Sequence, residues 1–181
     1  MKTIVVYQSK YGYTQTYAQW IQQALGCQMA RGTDCAPADL VQYDTIIYGG
    51  GLYAVGINGI RLLTDSFEAL QGKNLVMWAT GSCPGRPEEL EQVWARNFTA
   101  EQRRRIKTFY LRGGFDYTRL QGGDKALMNL LKVKLRLTKH RTADENGLLE
   151  AYAMPENHCE KANIEPLVQY VKGLASTAAD R

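Results

Sequence analysis

Short apolar runs alternate along the chain with amphipathic stretches. Four runs rich in β-branched and aromatic residues are typical of buried strands, at 3–7, 45–48, 75–79 and 106–111. A shorter strand is expected at 28–30. Apolar residues at three- and four-residue spacing predict helices at 17–25, 60–70, 90–94 and 164–171. This alternation predicts an α/β fold: a doubly wound parallel sheet of five strands, with helices on both faces.

Local signals mark several helix ends. Gly26 and Gly72 follow two of the helical stripes, where glycine commonly ends a helix. Pro87 is followed by two glutamates, a pattern that favours the N-terminus of a helix. Thr99 and Gln102 have the spacing of a capping box before a short basic turn.

Three loops that follow predicted strands are rich in Gly, Ser and Thr, at 8–14, 49–59 and 80–87. In a doubly wound sheet, ligands bind beyond the carboxyl ends of the strands, where the strand order reverses. We therefore expect these three loops to form the ligand site.

The first loop, QSKYGYT, joins the first strand to the first helix. Free N–H groups and the helix dipole suit a phosphate there, Ser9 and Thr14 add hydroxyl groups, and Gly12 permits close backbone approach. The loop lacks the Gly-Lys-Ser/Thr of a Walker A motif and two of the three glycines of the dinucleotide fingerprint. The alternative is an ordinary turn in which Thr14 is the N-cap.

The other two loops have features that suit a planar ligand. Three glycines at 49–51 indicate close backbone approach or a peptide that can flip, and Leu52 and Tyr53 would lie beside the ligand. The alternative is a flexible loop. The segment TGSCPGRP supplies backbone donors and the thiol of Cys83, which is either reactive or a small packing residue.

Several reaction classes are excluded by the residues in these loops. Gln8, Ser9 and Gly49 stand where a phosphorylated receiver domain needs acidic groups. Ser82 is not part of a GxSxG elbow, which excludes that type of serine hydrolase. We therefore expect no catalytic side chain and a bound cofactor that supplies the chemistry.

Length and composition favour one globular domain over residues 1–181. The connection between the last predicted strand and the last predicted helix is longer than usual, so an insert is expected at about 113–150. Apolar residues make up 45% and charged residues 22% of the 181 residues. We expect a cytoplasmic protein, because the N-terminal apolar patch is too short for a signal peptide and no apolar run could span a membrane. The four cysteines form no CxxC pair, and His158–Cys159 is the only close pair of potential ligands, so no metal site is expected.

The net charge of +4 conceals one strongly basic segment. Residues 101–141 carry 12 basic and 3 acidic side chains, whereas residues 1–100 carry 7 and 8. Within it, 125–141 is expected to be an amphipathic helix rather than a strand. One face carries Ala126, Leu130, Val133 and Leu137, and another carries Lys125, Lys132, Arg136 and Lys139.

Several roles remain open for this helix. It could lie on an anionic membrane, dock an acidic partner, attract a carboxylate-bearing substrate, or cover a core with its basic face in solvent. Nucleic acid is not an expected partner, because the segment lacks interleaved stacking aromatics.

Four segments together carry a family resemblance. SKYGYT resembles the phosphate loop of flavodoxins, and the resemblance extends through IIYGGGLYAVGI and the Thr-Gly pair at 80–81. FYLRGGFDYTRL at 109–120 resembles the flavodoxin-like branch that includes menaquinone-dependent protoporphyrinogen dehydrogenase. The resemblance implies a flavodoxin-like fold that binds FMN.

The resemblance also implies which residues bind the flavin. The phosphate would be held by Ser9, Lys10, Tyr11, Gly12, Tyr13 and Thr14. One side of the isoalloxazine ring would be lined by Gly50, Gly51, Leu52 and Tyr53. The other side would be lined by Thr80, Gly81, Ser82 and Cys83.

The expected function is that of an FMN-dependent oxidoreductase which exchanges electrons with a quinone or a porphyrinogen. One alternative is a non-enzymatic FMN electron carrier, a flavodoxin that docks a redox partner protein. Another is a binding module that has kept the fold and lost the flavin. The basic insert adds the hypothesis of a peripheral position at the inner face of the membrane.

Overall fold

The computed structural model describes residues 1–54 and 56–179, with side chains through 176; Val55, inside the predicted second loop, lies outside them. The strands are β1 (Thr3–Gln8), β2 (Gln28–Arg31), β3 (Thr45–Tyr53), β4 (Gly56–Ile57), β5 (Asn74–Gly81), β6 (Ile106–Arg112), β7 (Gly114–Phe115) and β8 (Glu156–Asn157). The helices are α1 (Tyr13–Leu25), α2 (Pro37–Leu40), α3 (Arg61–Thr64), α4 (Pro87–Asn97), α5 (Ala100–Arg105), α6 (Gly122–Leu137), α7 (Ala143–Ala151) and α8 (Glu165–Ala179).

Five parallel strands form the main sheet, in the order β2-β1-β3-β5-β6. The short β4 pairs antiparallel with the end of β3. The chain moves outward from β1 to β2 and then returns to the other side of β1, so the strand order reverses between β1 and β3. The predicted doubly wound sheet of five parallel strands is confirmed.

Two hydrophobic cores cover the two faces of this sheet. Successive residues of a strand point to opposite faces, so Ile46 belongs to one core and Ile47 to the other. The first core contains residues of α2, α3 and α4, and the second contains residues of α1 and α8. Both faces are therefore buried, which explains the nearly continuous apolar runs of the central strands.

Most predicted helix ends agree with the structure. Gly26 is the left-handed C-cap of α1, with φ +59°. Pro87 is the first residue of α4. Thr99 and Gln102 form the predicted capping box at α5, where each side chain bonds the other residue's backbone N–H. These ends depend on local backbone chemistry, which explains why the sequence predicts them.

The helix predicted over 60–70 is largely wrong. The regular helix α3 ends at Thr64, and the following turns run on to Gly72. The Ser66 hydroxyl donates to the Leu62 carbonyl (2.6 Å), a side-chain bond that competes with regular helical bonding. Phe67 and Leu70 are nevertheless buried, so the apolar spacing identified core residues correctly and their backbone conformation wrongly.

The chain divides into two compact units. One comprises residues 1–113 and 159–181, and the other comprises residues 114–158. In the second unit, β7 pairs antiparallel with β8, and α6 and α7 lie between them in sequence. The aromatic ring of Tyr152 lies 5.7 Å from that of Phe115 and 5.0 Å from that of Tyr117, measured between centroids.

The basic segment forms a helix rather than a strand, as expected, but α6 ends at Leu137, so Lys139 of the predicted basic face lies beyond the helix. Within its unit, α6 buries Leu135, and its Met128 carbonyl accepts a hydrogen bond from the Tyr152 hydroxyl (2.5 Å). The predicted apolar face is on the other side, because Leu130, Val133 and Leu137 are all exposed. No helix within the described ranges is both long enough and apolar enough to cross a membrane.

Candidate functional site

The sheet register brings the carboxyl ends of neighbouring strands into line. Gln8 of β1 pairs with Gly50 of β3, which pairs in turn with Ala79 of β5. One residue further, Gly51 pairs with Thr80. All three predicted loops therefore begin at the same edge of the sheet, which includes the point where the strand order reverses.

The first loop ends at a helix N-terminus that no side chain caps. Gly12 is the N-cap of α1 with φ +98°, a left-handed conformation that favours glycine. Its N–H donates to the Ser9 hydroxyl (3.1 Å), which orders the loop. Thr14 is not the N-cap, because it lies inside the helix and is buried. The start of α1 thus presents backbone N–H groups in a form that suits an anion.

The second loop begins later than predicted, because β3 continues to Tyr53. A Cβ at Gly49 would lie 2.0 Å from the Trp78 ring, and one at Gly50 would lie 2.5 Å from the Ile57 side chain. Neither glycine has a positive φ. Close packing therefore explains these two glycines without a flexible loop or a flipping peptide.

Gly51 lies where the first and second loops meet. A Cβ there would be 3.5 Å from the Thr14 hydroxyl oxygen and 3.3 Å from the Tyr53 ring. The Tyr53 and Tyr11 ring centroids are 6.5 Å apart, and the Lys10 ammonium lies 5.7 Å from each. The structure therefore brings residues of both loops into one neighbourhood, with a cation and two aromatic rings.

Three residues at the end of β6 fix the third loop in place. The Tyr110 hydroxyl donates to the Cys83 carbonyl (2.6 Å), and the Arg112 Nε–H donates to the Ser82 carbonyl (3.0 Å). The Gly113 N–H donates to the Gly81 carbonyl (2.7 Å). Sequence reasoning missed these residues. Their signal was an aromatic and a basic residue at the carboxyl end of a predicted strand, at the same sheet edge as the loops.

Tyr48 has a comparable role at the second loop. Its hydroxyl donates to the Asn58 carbonyl (2.9 Å), and the Asn58 N–H donates to the Gly51 carbonyl (2.9 Å). Burial raises the pKa values of Tyr48 and Tyr110 well above that of an exposed tyrosine. Both hydroxyls therefore remain protonated donors at neutral pH, and the loops that they hold keep these bonds.

Thr80 is a buried polar residue at the centre of this edge. Its side-chain oxygen is one of two buried side-chain atoms within the described residues that lack a hydrogen-bond partner; the other is Trp78 Nε1. A Cβ on Gly113 would lie 2.7 Å from the Thr80 methyl group and 3.2 Å from the Tyr13 Cβ. The Thr80 side chain therefore lies near the start of α1, and its hydroxyl can still form a hydrogen bond, which fits a ligand rich in oxygen atoms.

The charge at this edge favours an anion. The three loops contain Lys10 and Arg86 and no Asp or Glu, although Arg86 forms an ion pair with Glu89 of α4 (2.9 Å). Arg112 adds a guanidinium at the third loop. The methyl group of Leu52 would lie 3.4 Å from a Cβ on Gly81, so an apolar side chain of the second loop approaches the third. The residues at the start of α1 fit a phosphate group. The residues of the second and third loops fit a flat, partly apolar group between them.

Comparison with known proteins gives a family and a set of similar structures. The flavodoxin domain family model matches residues 4–142. Among solved structures, two-electron reduced Megasphaera elsdenii flavodoxin is 17% identical, with a TM-score of 0.46 over 60% of this chain and 84% of that one. Oxidised Flavodoxin 1 from Bacillus cereus is 18% identical, with a TM-score of 0.44 over 78% and 100%.

A third similar structure is the flavodoxin, WrbA-like protein from Agrobacterium tumefaciens, which is 16% identical, with a TM-score of 0.38 over 53% of this chain and 73% of that one. No curated protein matches the chain significantly. The family model spans well over half of the residues. The protein therefore belongs to the flavodoxin domain family, whose members are electron-transfer flavoproteins.

Proposed function

We propose that this protein binds FMN at the carboxyl edge of its sheet and is an FMN-dependent oxidoreductase that exchanges electrons with a quinone or a porphyrinogen. When bound, FMN supplies the electron-transfer chemistry, which the polar and apolar side chains at this edge lack. The chain's own residues bind the cofactor, orient it and control access to it.

The phosphate group is assigned to residues 9–14, at the start of α1. Backbone N–H groups of the first helical turn and the hydroxyls of Ser9 and Thr14 are the donors, and Lys10 adds a positive charge. The ring is assigned between Gly50, Gly51, Leu52 and Tyr53 on one side and Thr80, Gly81, Ser82 and Cys83 on the other. The bonds from Tyr48, Tyr110 and Arg112 hold these two loops in position.

The buried Thr80 hydroxyl is the observation that carries the proposal. A buried hydroxyl without a partner costs roughly 1–3 kcal/mol relative to one that is hydrogen-bonded. A bound cofactor with hydroxyl, phosphate or ring acceptors would remove that cost. Thr80 should therefore contribute little to the stability of the protein alone and much more to cofactor binding.

A Thr80→Val substitution tests this assignment. It keeps the shape of the side chain and removes the unpaired hydroxyl. We expect the free energy of unfolding without FMN to stay the same or rise by up to about 1 kcal/mol, while FMN affinity falls roughly five- to fifty-fold. Denaturant unfolding and fluorescence titration with FMN measure the two quantities.

Thr45→Val is the matched control, because Thr45 is buried at the other end of β3 and its hydroxyl accepts a hydrogen bond from the Asn74 amide (3.1 Å). This change should lower stability and leave FMN affinity unaltered. A Thr80→Val protein that loses stability and binds FMN as the wild type does would contradict the proposal. Failure of the wild type to bind FMN would leave only a binding module without flavin.

The residues at the edge are compatible with the proposed substrates. Its loops contain no Asp, Glu or His, so the protein has little capacity for acid–base catalysis there. Leu52 and Tyr53 are half-buried and offer apolar contact to a planar molecule. Steady-state oxidation of a quinol, a porphyrinogen and reduced nicotinamide should show turnover with one of the first two; turnover with nicotinamide alone would contradict this choice.

An electron carrier is the second candidate function. Cys83 and Pro84 are exposed at the third loop, so a partner protein could reach the proposed flavin edge. A carrier would exchange electrons rapidly with a reductase and show no turnover with either small substrate. Stopped-flow reduction alongside the substrate panel separates the two functions.

The cytoplasmic location and the organisation as one flavodoxin-like domain with an insert belong to the same proposal. All four cysteines are free thiols, which suits a reducing compartment. Fractionation of cells that express the tagged protein would test the location.

A further inference from the structure

We propose that α6 docks this protein on an anionic lipid bilayer by inserting an exposed apolar stripe into the interface. The apolar stripe consists of Leu127, Leu130, Val133 and Leu137. This inference deepens the proposed function, and it rests on that function only in the claim that the redox substrate is met at a membrane.

The stripe is a concentrated apolar surface. Its four side chains are 63%, 69%, 55% and 77% exposed, respectively. They account for four of the nine large hydrophobic residues that are exposed within the described part of the chain. Single exposed hydrophobic residues are ordinary, whereas several on one helix face mark an interaction surface.

The helix does not need this stripe to pack within its own unit. Leu135 is 4% exposed, and the Met128 carbonyl accepts the hydrogen bond from Tyr152. The Lys132 ammonium lies 5.1 Å from the centroid of the Tyr117 ring and 4.9 Å from that of Tyr152, so its stem also faces its own unit. These residues follow helical spacing on one side of α6, and the stripe occupies the other side.

One basic side chain lies within the stripe, and two more lie along one of its edges. At about 100° per residue, Lys134 lies between Leu127 and Leu130 around the helix, and Arg136 and Lys125 lie beyond Val133. All three basic residues are exposed. Long basic side chains in this position can extend to lipid headgroups while their stems lie along the apolar surface.

The local charge complements an anionic surface. Residues 122–141 carry six basic side chains and one acidic one, Asp124. The whole unit, residues 114–158, carries seven basic and six acidic side chains, three of the acidic ones in α7, and so has a net charge of only +1. The field of a membrane falls off within about 8 Å at physiological salt, so the basic residues beside an inserted stripe dominate the attraction.

A fluid bilayer fits this surface better than a folded partner does. The stripe lies on the convex face of a helix, with Lys134 within it and Arg136 and Lys125 along one edge, and apolar and basic residues on one exposed helix face suit an anionic membrane interface. A second copy of this chain would bring like charges together along the same face, which is unfavourable.

Vesicle flotation tests the proposal on the full chain. Vesicles of 30% phosphatidylglycerol in phosphatidylcholine should bind the protein at low salt, and binding should weaken in 0.5 M NaCl. The double variant Leu130→Ser/Leu137→Ser should lower the partition coefficient at least about tenfold, because it removes buried methylene groups. Val41→Ser is its control, since Val41 is an exposed apolar residue (42%) in the other unit.

The contribution of charge is tested separately. Lys134→Gln/Arg136→Gln should weaken binding roughly tenfold or more and reduce its dependence on salt, at about 1 kcal/mol for each basic residue near the surface. Arg96→Gln/Arg104→Gln makes the same charge change on exposed residues outside α6 and should bind nearly as the wild type does. Circular dichroism confirms that each variant remains folded.

Three results would overturn the proposal: no binding of the wild type to these vesicles at low salt, unchanged binding of the stripe variant, or vesicle-free self-association that the stripe variant abolishes. FMN titration of the same preparations is the separate readout for the proposed function. Vesicle binding by a protein that ignores FMN would uphold the docking helix and reject the flavin assignment. FMN binding without vesicle binding would uphold the flavin assignment and reject the docking helix.

Discussion

The three consecutive glycines at 49–51 are required for different reasons. Gly49 and Gly50 lie within β3, where a Cβ would collide with Trp78 or Ile57. Gly51 instead lies beside Thr14 and Tyr53, at the edge assigned to the cofactor. The sequence shows that positions 49–51 carry no side chain. The atoms that surround each position in the structure show why a side chain would not fit there.

A Gly49→Ala substitution should destabilise the protein whether or not FMN is present. The new Cβ would lie 2.0 Å from the Trp78 ring, so Trp78 or the strand must shift. Overpacking of a core costs about 1–3 kcal/mol, occasionally more, and we expect a loss of that size in denaturant unfolding.

Gly56→Ala is the control for this change, because among the described residues that are not adjacent in the chain, the nearest atom to a Cβ there would be the Tyr53 carbonyl oxygen at 3.6 Å. Its effect should stay within about 0.5 kcal/mol. Equal stability losses in the two variants would show that the Trp78 contact is not the reason for the glycine at 49.

At the scale of elements, the candidate site depends on how strands and loops are joined. The amphipathic spacing predicts α1, and Gly12 indicates the unusual backbone at its start. The alternative in which Thr14 is the N-cap is wrong, because Gly12 is the N-cap and Thr14 is buried inside the helix. The bonds from β6 to the third loop were invisible in the sequence, since they join residues 27 to 32 positions apart. Local signals therefore predicted the loops, and long-range bonds fix their positions.

A Lys10→Glu substitution tests whether the start of α1 receives the phosphate of FMN. A carboxylate in place of the ammonium would repel the phosphate, so FMN affinity should fall roughly tenfold or more at low salt and less at high salt. Riboflavin lacks the phosphate, and its affinity should change far less. Both dissociation constants can be measured by flavin fluorescence.

Lys172→Glu makes the same charge change at an exposed position on α8 and should leave both affinities unchanged. If Lys10→Glu weakens riboflavin and FMN binding equally, the phosphate does not lie at this helix end. The ring assignment would then need to be revised as well, because it follows from the same loop order.

For the whole molecule, the division into two units changes the meaning of the basic segment. Arg103, Arg104 and Arg105 belong to the unit that contains the sheet, whereas α6 belongs to residues 114–158. The basic residues of 101–141 are therefore divided between the two units. Within the second unit, the basic helix α6 is followed by the acidic first turn of α7.

Hydrogen exchange followed by mass spectrometry should separate the two proposed binding surfaces. FMN should protect backbone amides in the three loops at 8–14, 49–59 and 80–87, because bound donors and ordered loops exchange more slowly. Anionic vesicles should instead protect α6. Neutral phosphatidylcholine vesicles serve as the control.

If FMN protects α6 in the absence of vesicles, the flavin site is not confined to the edge of the sheet. Protection of the loops by vesicles without FMN would contradict the assignment of docking to α6. The protected regions therefore test both assignments on one preparation of the full chain.

The sequence by itself determined the five strands of the main sheet, several helix ends, the strand-loop pattern of the site and the basic helix α6, because these depend on periodicity and on backbone chemistry between near neighbours. The tertiary structure alone decided which glycines exclude a Cβ, which hydroxyl is buried without a partner and which strand residues fix the loops. It also decided that Leu130, Val133 and Leu137 face outward. Such properties depend on neighbours that are distant in sequence, and the apolar spacing of a helix does not state which of its faces the rest of the protein covers.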